Sequence, residues 1–272
     1  MAHKQKFNGV PVTICETSNE IGNHVADEIA AGIKQAHAEN RKFLLGCPGG
    51  RSLQSTYDAL AKLLSSSSSD ISRLVIVMMD DYVIKMGSAY VNCSGDAHYS
   101  CRRFGREKIL NILNAGVPPQ KQIPECNFWN PDPANPSFYD ERIRQAGGID
   151  IFLIASGASD GHVAFNPPGT QLDSFTRIVT LAHTTRRDNL GTFPEFASIK
   201  DVPRFGVTVG LGTITRMSQR VILVIHGEHK RNAGARLFQC KDFVPSWPAS
   251  VIFICKRPAI FLDHYAIQGV LL

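Results

Sequence analysis

Four consecutive apolar residues, Ile151 to Ile154, run straight into a loop punctuated by Gly157, Gly161 and Gly169. Such a run, apolar at every position, reads as a strand covered on both faces, since a strand with one wet face would alternate. Comparable short apolar strands are expected near 43, 74, 221 and 251. Between them the spacing changes to that of helices: Ile21, Val25, Ile29 and Ile33 share one helical face behind a candidate cap at Ser18. Buried strands alternating with helices imply a three-layer, doubly wound α/β fold, with a mostly parallel sheet and helices on both faces.

In open sheets of this kind ligands bind beyond the carboxyl ends of strands, so the residues at those ends matter most. After Ile154 the chain presents Asp160 and His162. An imidazole titrates near neutral pH, and a carboxylate two residues away can orient it. The apolar run Phe43 to Leu45 leads to Gly49, Gly50, Arg51 and Ser52, with Ser52 a candidate cap for a helix carrying Leu53, Tyr57, Leu60 and Leu64 on one face. Strand, glycine turn and helix start make an anion site of free backbone amides, and Arg51 adds a forked donor suited to phosphate. This is not the GxxxxGK[ST] nucleotide loop, because the lysine and the spacing are absent. Six apolar residues, Leu74 to Met79, reach the paired carboxylates Asp80 and Asp81 and then Tyr82. Each junction alone also fits a plain turn or cap, and a lysine such as Lys230 after the apolar run Val221 to Ile225 alone fits a solvated charge.

Composition narrows the function classes. The chain has 272 residues, enough for one α/β domain spanning 1–272. A net charge of +5 and a pI of about 8.8 suit an anionic substrate and fall short of a nucleic-acid footprint. Seven cysteines include no CxxC pair and leave an odd one over, which fits reduced thiols in the cytoplasm; Cys47 reads as a packed residue and not a nucleophile. No apolar run of membrane length and no basic-then-apolar leader is expected to place the chain in or across a membrane. The segment Ala97 to Leu110 reads as an amphipathic helix with one charged face, Ser65 to Ser69 as a connector, and Pro118 to Pro136 as an irregular surface loop.

Taken in order, GGRS, MDDY and SDGHVAFNPPG resemble the family of glucosamine-6-phosphate deaminases and 6-phosphogluconolactonases. The resemblance extends through VPRFGVTVGLGTI, Val202 to Ile214, and VILVIHGEHKRNAGARLF, Val221 to Phe238, and so covers most of the chain. It implies an enzyme acting on a 6-phosphorylated sugar, with the MDDY and AFN elements leaning to aldose-ketose isomerisation or deamination. Lactone hydrolysis is the first alternative and a non-catalytic sugar-phosphate sensor the second. By resemblance Asp80 matches the carboxylate that moves a proton between C2 and C1, His162 the histidine that opens the ring, and Asp160 its neighbour. Gly49, Gly50, Arg51 and Ser52 match the phosphate loop, and Lys230 the lysine reaching the same phosphate. No metal or organic cofactor is implied, and the expected partner is a small-molecule sugar phosphate, not nucleic acid or membrane. The family includes homo-oligomers. Two positions depart from it: Pro167 stands where deaminases carry a glutamate, and Gly191 where they carry a phosphate-binding arginine, which Arg51 is expected to replace, with Arg186, Arg187 and Arg204 as other cations nearby.

Overall fold

Residues 2–269 are described by the computed structural model. In chain order the strands are β1 (His3–Phe7), β2 (Val10–Cys15), β3 (Phe43–Cys47), β4 (Leu74–Met78), β5 (Asp80–Met86), β6 (Ala89–Asn92), β7 (Phe128–Trp129), β8 (Ile149–Ala155), β9 (Arg177–Thr180), β10 (Phe205–Thr208), β11 (Ser218–Ile225) and β12 (Pro258–Asp263). The helices are α1 (Ser18–Ala38), α2 (Gln54–Ser66), α3 (Cys101–Gly105), α4 (Asn111–Asn114), α5 (Pro136–Gln145), α6 (His183–Thr192), α7 (Leu211–Met217) and α8 (Arg231–Leu237). Eight strands form one sheet in the order β1-β2-β12-β11-β8-β3-β4-β7. Only the outermost pair, β1 with β2, runs antiparallel, so the expected mostly parallel sheet is present.

Both faces of that sheet are covered, which is why its strands are apolar at successive positions. On β8, Ile151 and Leu153 join the cluster under α1 and α2, while Phe152 and Ile154 join the opposite cluster with Val221, Leu223, Val251 and Ile252. Gly46 on β3 makes room for the ring of Phe152; a Cβ there would come within 2.6 Å of it.

A second sheet was not legible in the sequence. Strands β6, β5, β10 and β9 form a four-stranded antiparallel sheet. The chain crosses from one sheet to the other at Met79, whose N–H donates to Cys47 O (3.2 Å) and whose carbonyl accepts from Val209 N (2.8 Å). The MDDY segment is therefore the start of a new strand and not a loop.

Other expectations are corrected. The apolar stretch near 251 is a 3₁₀ turn, Pro248–Ile254, and the strand follows it as β12. There Ser250 Oγ donates to Trp247 O (2.7 Å) and accepts from Val244 N (2.7 Å), closing the chain on itself. Helix α1 is capped by Thr17, whose Oγ1 accepts from Glu20 N (3.1 Å), one residue before the expected Ser18. Ser52 caps nothing; it lies within a 3₁₀ turn, Arg51–Leu53, that leads into α2. Ser65 and Ser66 complete α2. The proline-rich stretch contains the short edge strand β7, held because Tyr139 Oη donates to the carbonyls of Met78 (2.8 Å) and Trp129 (3.1 Å).

The segment Ala97 to Leu110 is helical from Cys101 onward, with a π-helical turn, Arg106–Leu110, between α3 and α4. Its buried face carries Cys101, Gly105, Ile109, Leu110 and Leu113. Arg103 pairs with Glu107 (2.9 Å), and Arg106 forks onto Glu125, so these charges are committed within the protein. No helix among the described residues is long and apolar enough to cross a membrane.

Replacing Gly46 by valine should cost about 1–3 kcal/mol through overpacking against Phe152. Urea unfolding with an unchanged midpoint would contradict that contact.

Candidate active site

Loops leave the carboxyl ends of β3, β8 and β11 on one side of the parallel sheet, β4 passes there directly into β5, and α6 contributes to the same cavity. Together they enclose a cavity of about 120 Å³ lined by Gly49, Gly50, Arg51, Ser52, Asp80, His162 and Lys230 among others. A wider space of about 620 Å³ adjoins it past Arg51 and Lys230 and is bounded by Asp188, His226 and His229. All eight residues singled out from the sequence are thus in one neighbourhood, seven on the cavity wall and Asp160 directly behind His162.

Asp80 begins β5 and is 4% exposed. Burial pushes its carboxyl up to about 7, opposed by the Cys101 thiol and assisted by the charge of Asp81. A carboxyl tuned to neutrality can hold or release a proton at physiological pH. Asp81 shows why the paired acids are not equivalent. Adjacent strand residues point to opposite faces, and Asp81, 1% exposed, accepts from the backbone N–H groups of Tyr82 (2.8 Å), Cys101 (2.8 Å) and Arg102 (3.3 Å).

His162 is held from behind. Its Nδ1 lies 2.6 Å from Asp160 Oδ1, and its backbone N–H donates to the same oxygen (3.1 Å). An ionised carboxylate only accepts, so Nδ1 carries the proton and Nε2 is left to exchange one with a ligand. Burial alone would raise Asp160; hydrogen bonds and charge from His162, with help from Thr184, outweigh it and hold the carboxyl well below its usual range. Thr184 Oγ1 (2.5 Å) and Thr185 Oγ1 (3.1 Å) both donate to Asp160 Oδ2.

Two glycines make this turn possible. Gly161 adopts φ +68°, which lets the chain fold back between Asp160 and His162. A Cβ on Gly157 would lie 2.2 Å from His162 Nδ1, so the imidazole seats itself where any side chain would be. The sequence marked both glycines only as loop punctuation. Ala164, on the cavity wall, takes φ +52°, a left-handed conformation costly for a residue with a Cβ.

The opposite wall of the cavity is built from the β3 loop and the β11 turn. Gly227 at φ +86° turns the chain after β11, and Asp263 pins its N–H (2.9 Å). Lys230 then reaches inward, and its Nζ donates to Ser156 O (2.6 Å). It is not the solvated charge that its place after a strand would suggest: burial lowers its pKa, with Asp188 and Asp160 opposing that shift. Arg51 crosses the cavity mouth and donates from Nη2 to Gly191 O (2.9 Å), bringing a guanidinium to the position where the resemblance would place an arginine. Arg186 is committed elsewhere, to the carbonyls of Ile199 and Val202, and neither Arg187 nor Arg204 lines the cavity. Pro167 is also off the wall; its carbonyl caps the turn to Thr170. Asn189, unremarked in the sequence, lines the cavity and donates from Nδ2 to Tyr82 Oη (2.5 Å).

Ligand atoms of Asp160, His162 and Asp188 lie within 4.8 Å of one another. Asp188 accepts from Ser159 N and Oγ, and Asp160 is filled by His162 and two threonines, so the group orients a histidine and offers a cation few free lone pairs.

A sequence model of the family described as glucosamine-6-phosphate isomerases/6-phosphogluconolactonase matches residues 16–260. A glucosamine-6-phosphate deaminase of Arthrobacter sp. (strain FB24) is 33% identical over 267 residues, covering 94% of this chain and 90% of that protein. One from Bacteroides thetaiotaomicron is also 33% identical, covering 91% and 87%. Among solved structures, a monomeric glucosamine-6-phosphate deaminase superposes with a TM-score of 0.79 at 26% identity, covering 94% of this chain and 98% of that one. A 6-phosphogluconolactonase from Thermotoga maritima shares the fold, with a TM-score of 0.65 at 19% identity and coverage of 93% and 98%.

Two measurements check this geometry. Gly157→Ala should leave the fold intact but displace the His162 ring, with loss of most ligand-dependent activity; full activity would contradict the seating of the imidazole. For Asp80 the sign follows from its raised pKa. Between the ordinary carboxyl value of 3.8 and about 7, the unfolded chain has lost a proton that the folded chain keeps, so stability falls as pH rises through that window. Asp80→Asn should therefore be more stable than the parent at about pH 8, by on the order of a few kcal/mol, and no more stable near pH 4. Equal denaturation midpoints at both pH values would contradict the buried, raised carboxyl.

Proposed function

This chain belongs to the family of glucosamine-6-phosphate isomerases and 6-phosphogluconolactonases, and on that premise we propose that it is an enzyme converting a glucosamine-6-phosphate-like sugar by proton transfer, with aldose-ketose isomerisation and release of ammonia. The observation that carries the reading is the juxtaposition of a carboxyl raised to about 7, a carboxylate-backed histidine and a glycine loop with the cations Arg51 and Lys230, all around one cavity.

In this mechanism Gly49, Gly50, Arg51, Ser52 and Lys230 hold the phosphate. Backbone amides at the start of the 3₁₀ turn offer donors, and Arg51 and Lys230 supply charge from two sides. That anchoring lays the sugar toward His162 and Asp80. His162 exchanges a proton with the ring oxygen through Nε2, while Asp160 keeps the imidazole oriented and stabilises its charged form. In the opened chain Asp80 takes the proton from C2 and returns it at C1, passing through an enolamine or enediol; for the amino sugar this leaves an imine at C2, where water adds and ammonia leaves to give the ketone. Because burial holds Asp80 near neutrality, the basic form grows as pH rises through about 7. The substrate is a small sugar phosphate met in the cytoplasm, and all seven cysteines are unpaired.

Lactone hydrolysis is the second reading, and Pro167 favours it. Without an acid at that position the ring-opening group is reduced to Asp160 and His162, a pair also suited to activating water.

The test is to supply glucosamine 6-phosphate and, separately, fresh 6-phosphogluconolactone. Ammonia release should be observed and should vanish in Asp80→Asn and His162→Ala. Lactone loss that persists in Asp80→Asn, without ammonia, would transfer the chain to the lactonase reading. Arg51→Ala should raise the substrate KM about tenfold or more, since a charged hydrogen bond contributes roughly 1.5–3 kcal/mol; an unchanged KM would remove Arg51 from the phosphate site.

A further inference from the structure

We propose that Cys15, Glu20 and His24 form a binding site for a divalent transition-metal ion, zinc by the chemistry of the donors, where β2 passes into α1. The inference goes beyond the functional reading above and does not rest on it.

The backbone brings the three side chains together. Cys15 is the last residue of β2, and α1 begins at Ser18. Glu20 and His24 are four residues apart on α1, so they stand one above the other on a single helical face. A ligand atom from each, a thiol sulfur, a carboxylate oxygen and an imidazole nitrogen, lies within 4.8 Å of the other two. Donors around tetrahedral zinc are roughly 3.5 Å apart, given bonds of about 2.0–2.3 Å to the metal. A small rotation of the Glu20 and His24 side chains, both half-buried, closes the set.

Each donor is held in place and still has a lone pair to give. Glu20 belongs to the helix cap: Thr17 Oγ1 accepts from Glu20 N (3.1 Å), and Glu20 Oε2 accepts from Glu16 N (2.9 Å). The cap fixes the carboxylate and leaves Oε1 uncommitted. The His24 ring stacks on Phe261 of β12, with centroids 6.4 Å apart and planes at 29°, an arrangement that orients it and uses neither nitrogen. Cys15 is 0% exposed. Among the described residues its sulfur has no hydrogen-bond partner, the His24 nitrogens have none, and none of the three side chains enters an ion pair. Capping accounts for Glu20 but not for a buried thiol and an imidazole brought to the same point. The contrast is with Asp160, His162 and Asp188, whose lone pairs are taken up by one another and by neighbouring hydroxyls.

The donor set selects the ion. Thiolate, imidazole and carboxylate together suit zinc, whereas magnesium and calcium take oxygen donors. As the sulfur–metal bond forms, the thiol proton leaves to solvent. Asp263, the register neighbour of Cys15 on β12, is occupied by the backbone N–H groups of Gly227 and Ala266, which leaves the fourth position to water.

The full-length protein is stripped with a chelator and titrated with cobalt(II) and with zinc against a competing indicator. Cys126, the exposed cysteine, is replaced by serine in every sample. One equivalent of cobalt should give a thiolate-to-metal charge-transfer absorption that zinc abolishes and that is missing in Cys15→Ser. Zinc affinity should fall at least tenfold in His24→Ala and in Glu20→Gln, and stay at the parent value in His162→Ala. The His24 and Glu20 variants decide the matter if Cys15→Ser fails to fold, since both side chains are only half-buried. No thiolate absorption in the parent, or undiminished zinc affinity in both His24→Ala and Glu20→Gln, would overturn the inference. Zinc affinity lost in His162→Ala alone would place the metal at the cavity instead and overturn it equally.

Discussion

One residue joins the two sheets, and the site depends on the crossing. At Met79 the backbone is bonded on one side to Cys47 of the parallel sheet and on the other to Val209 beside β10. The chain must therefore leave β4 and enter β5 without a loop, and the first side chain after the crossing is Asp80. A loop at that point would expose the carboxyl to water and leave it near its ordinary value. The direct passage buries it instead. The same crossing puts Asp81 on the far face, where it gathers the helical segment that follows.

Around that fixed point the protein separates two carboxylates by environment. Asp80, buried with few compensating donors, is raised. Asp160, also buried, is lowered because a histidine and two threonines supply the donors that water would have given. Groups of one chemical type driven in opposite directions mark acid and base partners. The β3 loop and Lys230 line the same cavity, so the proposed phosphate contacts and the proposed proton transfer share the carboxyl-terminal edge of one sheet.

Much of this was legible in the sequence because it is local. Runs such as Ile151 to Ile154 and Leu74 to Met78 are apolar at each position only if both faces are covered, and the helix from Ser18 has a clear spacing. The site residues fall at the ends of those runs. The illegible parts depend on tertiary partners. Strand β7 is two residues long and exists because Tyr139 bonds beside it. Strands β9 and β10 are short, and their pairing with each other and with β5 joins segments far apart in the chain. Apolar residues near 251 look like a strand, but the Ser250 hydroxyl satisfies the backbone locally and turns it. The contributions of Gly157, Thr184, Thr185 and Asn189 arise from where α6 and the His162 ring come to rest, which no spacing in the sequence encodes.

The central claim is that Asp80 carries a proton between two carbons of a phosphorylated sugar. Its most direct test is turnover of glucosamine 6-phosphate deuterated at C2, with mass and NMR analysis of the product and of the water. Deuterium lost from C2 and recovered at C1 of the product or in the water, with neither event in Asp80→Asn, is the predicted result. The same movement of deuterium at the parent rate in Asp80→Asn would contradict it.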